Sequence, residues 1–226
     1  MWVIARRRER LEELRAEVKT PLRILELDLT DGESMEQCRA TLERERPQIG
    51  VLVNCAGFGK FGKAEEIPLC ESLGMIDLNC KALVAMTELS LPYLLRGGKV
   101  IQLDSLSAFQ PVPGIATYGA TKAFVLSYSR ALNRELRPRE IRVTAVCLGW
   151  VKTEFFDRAM ETDDATIRYF NRLYEAKDVV ATALRDVRHG KDVSVHGLPI
   201  RAQVLGVKLL PHSWVMDIWM RQQGMK

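Results

Sequence analysis

The sequence predicts an α/β protein in which a doubly wound parallel sheet is covered by helices on both faces. Short apolar runs alternate along the chain with longer helical runs, which is the rhythm of strands joined by crossover helices. Most of the short runs are apolar throughout rather than alternating, as expected for strands buried on both faces. At 226 residues, 47% of them hydrophobic, the chain suits one domain with a large core.

The predicted strands are short, mostly apolar runs with charged or turn-forming neighbours. In chain order they are Trp2–Ala5, Arg23–Leu27, Gly50–Asn54, Lys99–Asp104, Arg142–Cys147 and Asp192–Val195. The sequence contains no internal repeat and no low-complexity linker. Residues 1–200 are therefore predicted to form a single domain.

Two helices are predicted between the first three strands. Arg8–Val18 places Leu11 and Leu14 on one face. Gly32–Arg46 follows Asp31, whose carboxylate is a suitable N-cap. Each helix is long enough to connect two parallel strands.

Three further helices are predicted from their periodicity and stop signals. Glu71–Arg96 ends at a pair of glycines, Ala116–Leu136 ends before Pro138, and Asp178–Arg188 ends before a glycine. The tail, residues 201–226, is apolar and basic. We expect it to pack on the domain or on a partner subunit, with contact to a membrane surface as the alternative.

Composition excludes several classes of protein. The net charge of +4, from 33 basic and 29 acidic residues, is too small to indicate a nucleic-acid partner. The five cysteines are scattered without a C-x-x-C pair, and the three histidines lack metal-ligand spacing, so we predict reduced thiols, a cytoplasmic protein and no metal site. The sequence shows neither a secretory signal nor an apolar run that could span a membrane.

The segment GFGKFG, Gly57–Gly62, matches the G-x-G-x-x-G pattern of a dinucleotide phosphate loop. That motif needs a following strand that ends in an acid about 20 residues on. The acid near that distance, Asp77, falls inside a predicted helix, and the next strand ends only at Asp104. We favour a tight turn beside a ligand over a phosphate loop.

The strongest chemical signal is the stretch DSLSAFQPVPGIATYGATK. Tyr118 and Lys122 are four residues apart on a helix and share a face, and Ser105 ends a strand thirteen residues before Tyr118. Because an ammonium lowers the pKa of a neighbouring phenol, Lys122 could make Tyr118 a proton donor for ketone reduction. Ser105 could hold the carbonyl oxygen, and Asn79 could hold a water that connects the lysine to solvent. Taken singly, a tyrosine and a lysine at this spacing are more often surface residues, a serine at a strand end is more often a turn residue, and an asparagine in a helix more often makes a local hydrogen bond.

Together these residues resemble the short-chain dehydrogenase/reductase family. The shared motifs are NCAG (Asn54–Gly57), Asn79, Ser105, YGATK (Tyr118–Lys122) and LGWVKTEFF (Leu148–Phe156). The stretches NCAGFG, AFQPVPG and ATKAFVLSYSRAL further resemble its bacterial branch of general short-chain oxidoreductases. The resemblance implies a Rossmann-like fold and hydride transfer between a nicotinamide cofactor and a carbonyl or alcohol.

The resemblance also implies roles for individual residues. Tyr118 would be the general acid/base, Lys122 would lower its pKa and hold the nicotinamide ribose, Ser105 would orient the substrate carbonyl, and Asn79 would support the proton relay. Ser107 is the alternative to Ser105, but its spacing to Tyr118 fits less well. The remaining cofactor contacts would be Asp28 and Leu29 at the adenine, Asn54, Ala56 and Gly57 at the adenosine ribose, and Gly149, Val151 and Thr153 at the nicotinamide.

Arg6 and Arg7 follow the first predicted strand, which corresponds to the second strand of the family. The residue at this place faces the adenosine 2′ position in the family, and a guanidinium pairs with a 2′-phosphate in a bidentate manner. We therefore expect NADP rather than NAD as cofactor. Without the family resemblance, the same arginines would be interpreted as solvent-exposed residues at the start of a helix.

The expected substrate is a small hydrophobic carbonyl compound or alcohol. The pocket would draw on Phe58, Phe109, Val112, Trp150, Phe155 and Phe156, although any of these could instead be core. The family resemblance further implies a homodimer or homotetramer built on the two long helices.

The family's first strand and its glycine-rich loop have no counterpart in the sequence, so we expect them to precede Met1 in a complete protein. The competing hypothesis is a degenerate relative kept for binding or assembly with little or no catalysis.

Overall fold

The computed structural model describes residues 1–160, 167 and 172–225. The helices and strands, with short 3₁₀ turns omitted, are β1 (Trp2–Ala5), α1 (Arg8–Glu17), β2 (Arg23–Glu26), α2 (Gly32–Glu45), β3 (Ile49–Asn54), α3 (Leu69–Ile76), a π-helical turn (Asp77–Ala82), α4 (Leu83–Ser90), β4 (Leu94–Ser105), α5 (Ala116–Glu135), β5 (Arg142–Leu148), β6 (Trp150–Val151), α6 (Phe155–Ala159), β7 (Leu173–Tyr174), α7 (Ala176–Arg188), β8 (Val193–Ser194), α8 (Leu198–Leu209) and α9 (His212–Gln223). This order confirms the predicted α/β architecture.

Every paired strand runs parallel to its neighbour. The main sheet has the order β3-β4-β5-β8, and β1 and β2 form a separate two-stranded sheet. β4 is the longest strand and pairs with β5 in unbroken register from Lys99 opposite Arg142 to Ser105 opposite Leu148. This register brings the carboxyl ends of β4 and β5 to the same edge of the sheet.

β3 has one hydrogen-bonded neighbour among the described strands, β4. Val51 and Val53 are 56% and 51% exposed, which is unusual for apolar residues of a parallel strand.

The predicted long helix Glu71–Arg96 is wrong at its carboxyl end. Pro92 lies in a 3₁₀ turn after α4, and the strand begins at Leu94, which pairs with Ile49 of β3. The two glycines lie within β4 and do not end a helix. Gly97 has a φ of +77°, and a Cβ on Gly98 would lie 2.9 Å from the Leu95 carbonyl oxygen, so both positions require glycine.

The tail contains the final part of α8 and all of α9, which the sequence reading did not predict as helices. Trp219 of α9 donates its indole N–H to the Pro113 carbonyl oxygen at 2.9 Å. Val215 is buried, and Trp219 packs against a cluster that contains Phe58 and Tyr118. The last helix therefore lies against the segment that precedes α5.

Among the described residues, no helix combines the length and the apolar character needed to cross a bilayer. The same part of the chain contains no group of three or more histidine, cysteine or acidic side chains arranged to hold a metal ion.

Candidate active site

A cavity of about 890 Å³ lies where the parallel strands end. Its lining includes Ala5 at the end of β1, Ser105 at the end of β4 and Leu148 at the end of β5. Open parallel sheets bind ligands in the crevice at their carboxyl edge. A second cavity of about 610 Å³, beside α2 and α4, contains none of the predicted catalytic residues.

Most of the residues singled out from the sequence line the larger cavity. These are Arg6, Arg7, Asp28, Leu29, Ala56, Gly57, Phe58, Ser105, Val112, Tyr118, Lys122, Gly149, Trp150, Val151, Thr153, Phe155 and Phe156. Three do not line it, namely Asn54, Asn79 and Phe109.

Phe109 is core rather than pocket, which corrects its predicted place in the substrate site. It packs against a buried cluster that includes Leu126 and Ile200, and the Lys208 ammonium lies 5.2 Å from its ring centroid. The side chain of Asn54 points into the protein, where its amide donates to Thr87 Oγ1 at 2.9 Å and to Gln102 Oε1 at 3.0 Å. It braces β3 against its neighbours rather than lining the cavity.

Asn79 lies in the π-helical turn and is 1% exposed. Its amide donates to the Phe58 carbonyl oxygen at 2.9 Å and to Thr121 Oγ1 at 3.1 Å, while its Oδ1 accepts from the Phe58 N–H at 3.0 Å. A Cβ on Gly57 would lie 2.9 Å from that Oδ1 and 3.8 Å from Lys122 Nζ. Asn79 therefore holds the NCAGF segment against α5, close to the lysine.

Tyr118 and Lys122 lie on the inner face of α5 and are 9% and 7% exposed. Lys122 Nζ donates to the Leu103 carbonyl oxygen at 2.9 Å and lies 5.7 Å from the Tyr118 ring centroid. The predicted spacing therefore brings both side chains to the end of β4.

Ser105 ends β4, and its Oγ accepts from the Ser107 N–H at 3.2 Å. Hydrogen bonding to the Ser105 side chain lowers the pKa of Tyr118. The Ser107 hydroxyl is buried without a hydrogen-bond partner among the described residues. Both serines line the cavity, and the effect of Ser105 on the pKa of Tyr118 favours Ser105 as its partner.

Burial dominates the proton affinities of these groups. It raises the pKa of Tyr118, an effect that Ser105 opposes and Asp104 reinforces. It lowers the pKa of Lys122, and the Asp104 carboxylate opposes this decrease. A buried phenol and a buried ammonium both favour their neutral forms, so the charges around them decide which form exists.

Arg6 and Arg7 reach the cavity from the turn between β1 and α1. Arg6 Nη1 lies 3.5 Å from Asp28 Oδ2, and Arg7 Nη1 lies 3.2 Å from Glu154 Oε2. Both arginine side chains are more than half exposed, so these ion pairs contribute little to stability and can exchange partners.

The GFGKFG segment does not open a helix, since α3 begins only at Leu69. Gly59 instead permits a close approach: a Cβ there would lie 2.9 Å from both the Tyr118 ring and the Phe155 ring. This agrees with a tight turn beside a ligand rather than a phosphate loop.

Among the cavity residues that the sequence did not predict are Asp104, Arg158 and Trp219. Asp104 precedes Ser105 and resembles a strand-end turn residue. Arg158 lies on the short helix α6, with its guanidinium 3.6 Å from the Phe58 ring centroid and 3.4 Å from Glu71. Trp219 belongs to the tail and reaches the site through a contact between residues 106 positions apart, which no local pattern reports.

The residues present fit a phosphorylated dinucleotide. The two arginines could take a phosphate at one end, while Lys122 and the unpartnered Ser107 hydroxyl provide polar groups at the other. Between them, Gly57 leaves room where any side chain would meet Asn79.

Comparisons with known proteins identify the family of the chain. The family model for short-chain dehydrogenases matches residues 1–164. Serine 3-dehydrogenase from Rhizobium radiobacter is 38% identical over 152 residues, which cover 66% of this chain and 61% of that protein. The NADP-dependent 3-hydroxy acid dehydrogenase YdfG from Escherichia coli O6:H1 is 37% identical over 163 residues, which cover 70% of this chain and 66% of that protein.

A solved short-chain dehydrogenase from Sphingobium yanoikuyae, in complex with NADPH, has a similar fold. It superposes with a TM-score of 0.78 at 30% identity, over 96% of this chain and 85% of that one. The matched part of the chain thus spans just under two thirds of the two curated relatives and most of the solved structure. The chain belongs to the short-chain dehydrogenase family.

Proposed function

We propose that this chain carries the active site of an NADP-dependent oxidoreductase that interconverts a hydrophobic ketone or aldehyde and its alcohol. The observation that carries the proposal is the convergence of Ser105, Tyr118 and Lys122 in one cavity at the end of β4. The names of the Escherichia coli relative and of the Sphingobium structure support NADP as the cofactor.

The proposed mechanism assigns one task to each side chain. The nicotinamide cofactor supplies the hydride when bound. Ser105 donates a hydrogen bond to the substrate carbonyl oxygen, and the Tyr118 hydroxyl gives its proton to the oxygen as negative charge develops there. The Lys122 ammonium stabilises the resulting phenolate. In the oxidation direction, the phenolate accepts the proton from the alcohol.

The aromatic lining supports an apolar substrate. Phe155 packs against Tyr118 with ring centroids 5.6 Å apart, and Phe61 and Phe156 each lie about 6 Å from neighbouring rings of the same cluster. Trp219, which belongs to the tail, adds another aromatic side chain to the lining of the cavity. Such a wall would exclude water from the reacting carbonyl and accept aryl or alkyl groups.

Two measurements test the proposal. NADPH should bind the purified chain in a fluorescence titration, and an aryl ketone panel should give NADPH consumption. Tyr118→Phe should retain cofactor binding and lose turnover by about 100-fold or more, because the proton donor is removed.

Tyr128→Phe is the matched control, since Tyr128 lies on the same helix and stacks on Phe124 away from the cavity. It should leave turnover unchanged. A chain that binds NADPH without any turnover would favour the non-catalytic alternative, and a chain that neither binds nor turns over would refute the proposal.

The other expectations stay proposals. We propose a cytoplasmic homodimer or homotetramer without a nucleic-acid partner. The exposed Leu205, Leu209 and Trp214 of the last two helices keep contact with a membrane surface as an alternative use of the tail.

A further inference from the structure

Asp104 is a buried carboxyl group that the proposed mechanism does not use. It is 2% exposed, although it lies one residue from the end of β4 and lines the cavity. Its Oδ1 accepts from the Ser105 N–H at 2.8 Å, and its Oδ2 lies 3.6 Å from Cys147 Sγ, the cross-strand neighbour on β5. One backbone N–H and one weakly polar thiol do not compensate a buried carboxylate fully, so its burial is costly.

Lys122 is a buried cation that lacks a close negative partner among the described residues. Its Nζ donates to the carbonyl oxygen of Leu103, the residue before Asp104, and the described residues provide no carboxylate within 4.0 Å of it. A carbonyl oxygen can accept a hydrogen bond but carries no net charge, so it cannot fully compensate a buried ammonium. Asp104 follows Leu103 in β4, and its carboxylate is the charge that raises the pKa of Lys122 against the effect of burial.

The charged and titratable groups around this pair are few. Tyr118 and Lys122 face Asp104 from α5, and Cys147 faces it from β5. Cys80 of the π-helical turn faces Lys122, and Lys208 of α8 acts on Cys147. Burial raises the pKa of Cys80 and Cys147, so both thiols are neutral near pH 7. Asp104 is therefore the one carboxylate among the described groups that acts on Lys122.

We propose that Asp104 is a positioning residue that keeps Lys122 protonated and fixes the backbone of Ser105. This inference rests on the proposed function for its catalytic meaning, but its electrostatic content does not require turnover. The Asp104 side chain would then act on two groups of the site. It would hold Ser105, which donates a hydrogen bond to the substrate, and keep the charge on Lys122, which stabilises the phenolate.

The direction of the effect follows from the ionisation of Asp104. Burial raises its pKa to about 7, so the carboxylate forms as the pH rises through neutrality. Above that pH the buried lysine is most prone to lose its proton, and there the negative charge opposes the loss. Removing the carboxylate should therefore shift the deprotonation of Lys122 to lower pH.

The test is a direct titration of Lys122 in the cofactor-free chain. The ¹³Cε resonance of labelled lysine, assigned with Lys122→Met, should titrate about one pH unit lower in Asp104→Asn than in the unmodified chain. Asparagine keeps the size and the acceptor oxygen for the Ser105 N–H. Asp104→Ser removes the same charge and serves if the asparagine variant does not fold.

Asp186→Asn is the matched control, because Asp186 is equally buried but pairs with Lys191 and does not line the cavity. It should leave the Lys122 titration unchanged. In kinetics, the high-pH limb of kcat/KM should move down by the same interval in Asp104→Asn, with a smaller change at pH 7.

An unchanged Lys122 titration in both Asp104 variants would overturn the inference, even if the enzyme is active. A shifted titration in a chain with no turnover would uphold the electrostatic role of Asp104 and refute the proposed function. The two failures are therefore distinguishable.

Discussion

At the scale of single residues, the arginines after β1 carry the expected cofactor preference. Arg6 and Arg7 line the cavity and are paired through exposed contacts with Asp28 and Glu154. A phosphate dianion is a stronger partner for a guanidinium than a solvated carboxylate, so these pairs should give way to it. Thr30 and Arg6 hold the pKa of Asp28 below its usual value, so this carboxylate is ionised at neutral pH.

Replacing both arginines, Arg6→Ala with Arg7→Ala, should weaken NADPH binding by about tenfold or more and leave NADH binding almost unchanged. The measurement is a pair of fluorescence titrations with the two cofactors. Arg8→Ala is the control, since Arg8 pairs with Glu12 and Glu26 and does not line the cavity. Equal losses for both cofactors would contradict a role at the 2′-phosphate.

The residue scale also shows what the sequence can and cannot predict. Tyr118 and Lys122 are predictable because helical spacing fixes their common face, and Ser105 because it ends an apolar strand. Asp104 is not predictable as a site residue, because a polar residue at the end of a strand resembles the first residue of a turn. Its burial depends on Cys147 and α5, which the chain brings to it from later positions.

At the scale of elements, Asp186 joins α7 to β8 and α8. Its carboxylate accepts from Lys191 Nζ at 2.6 Å and from Ser194 Oγ at 2.8 Å, and Arg201 Nη2 lies 3.9 Å away. Burial alone would raise the pKa of Asp186, but the hydrogen bonds from Lys191 and Ser194 and the charge of Arg201 lower it overall. This carboxylate ties the end of the sheet to the helices that carry the tail.

Because the folded-state pKa of Asp186 is lowered, its contribution to stability is present above the unfolded-state value and is lost as the pH falls through the folded-state value. Asp186→Asn should therefore lower the free energy of unfolding by about 1–2 kcal/mol at pH 7, with a smaller difference below pH 4. Urea unfolding at both pH values measures this. Asp178→Asn, at an exposed position of the same helix, should show neither effect, and a difference independent of pH would contradict the assignment.

Element boundaries were predictable where the local signal was also the structural cause. Asp31 caps α2 as expected, accepting from the Ser34 N–H at 2.8 Å. The end of the predicted long helix was not predictable. Gly97 and Gly98 resemble the end of a helix, but in the structure they lie in β4 and permit its close approach to β3. The weaker signal, Pro92, marked the true end.

At the scale of the whole molecule, the expected dimer has a candidate surface. Leu73 and Ile76 of α3 and Phe124 of α5 are 51%, 45% and 44% exposed, and both helices belong to the long pair predicted to form the interface. Exposed apolar groups on neighbouring helices are typical of subunit contacts. Phe124 also lies on the helix that presents Tyr118 and Lys122, so this contact would steady the site.

Leu73→Glu should convert the dimer to monomer in light scattering, because a charge would be buried at the contact. Leu184→Glu on α7 is the control, since Leu184 is 46% exposed on a different helix. A monomeric unmodified chain, or dissociation by the control alone, would contradict this interface.

The fold class was predictable because parallel strands need apolar residues on both faces, and their runs are visible in the sequence. The division into a four-stranded sheet and two two-stranded sheets, β1-β2 and β6-β7, was not predictable, because pairing between strands depends on contacts that no local pattern encodes. The position of the tail was not predictable for the same reason, because Trp219 and Pro113 are distant in sequence and come into contact only in the folded chain.

The edge of β3 that no described strand pairs with has a consequence for handling the 226-residue chain. Within the part of the chain that the structure describes, its backbone donors and acceptors on that side, beside Val51 and Val53, form a template on which another extended chain can align. Such pairing is bimolecular, so it competes with correct folding more strongly as the protein is concentrated. Refolding yield should therefore be highest in dilute solution.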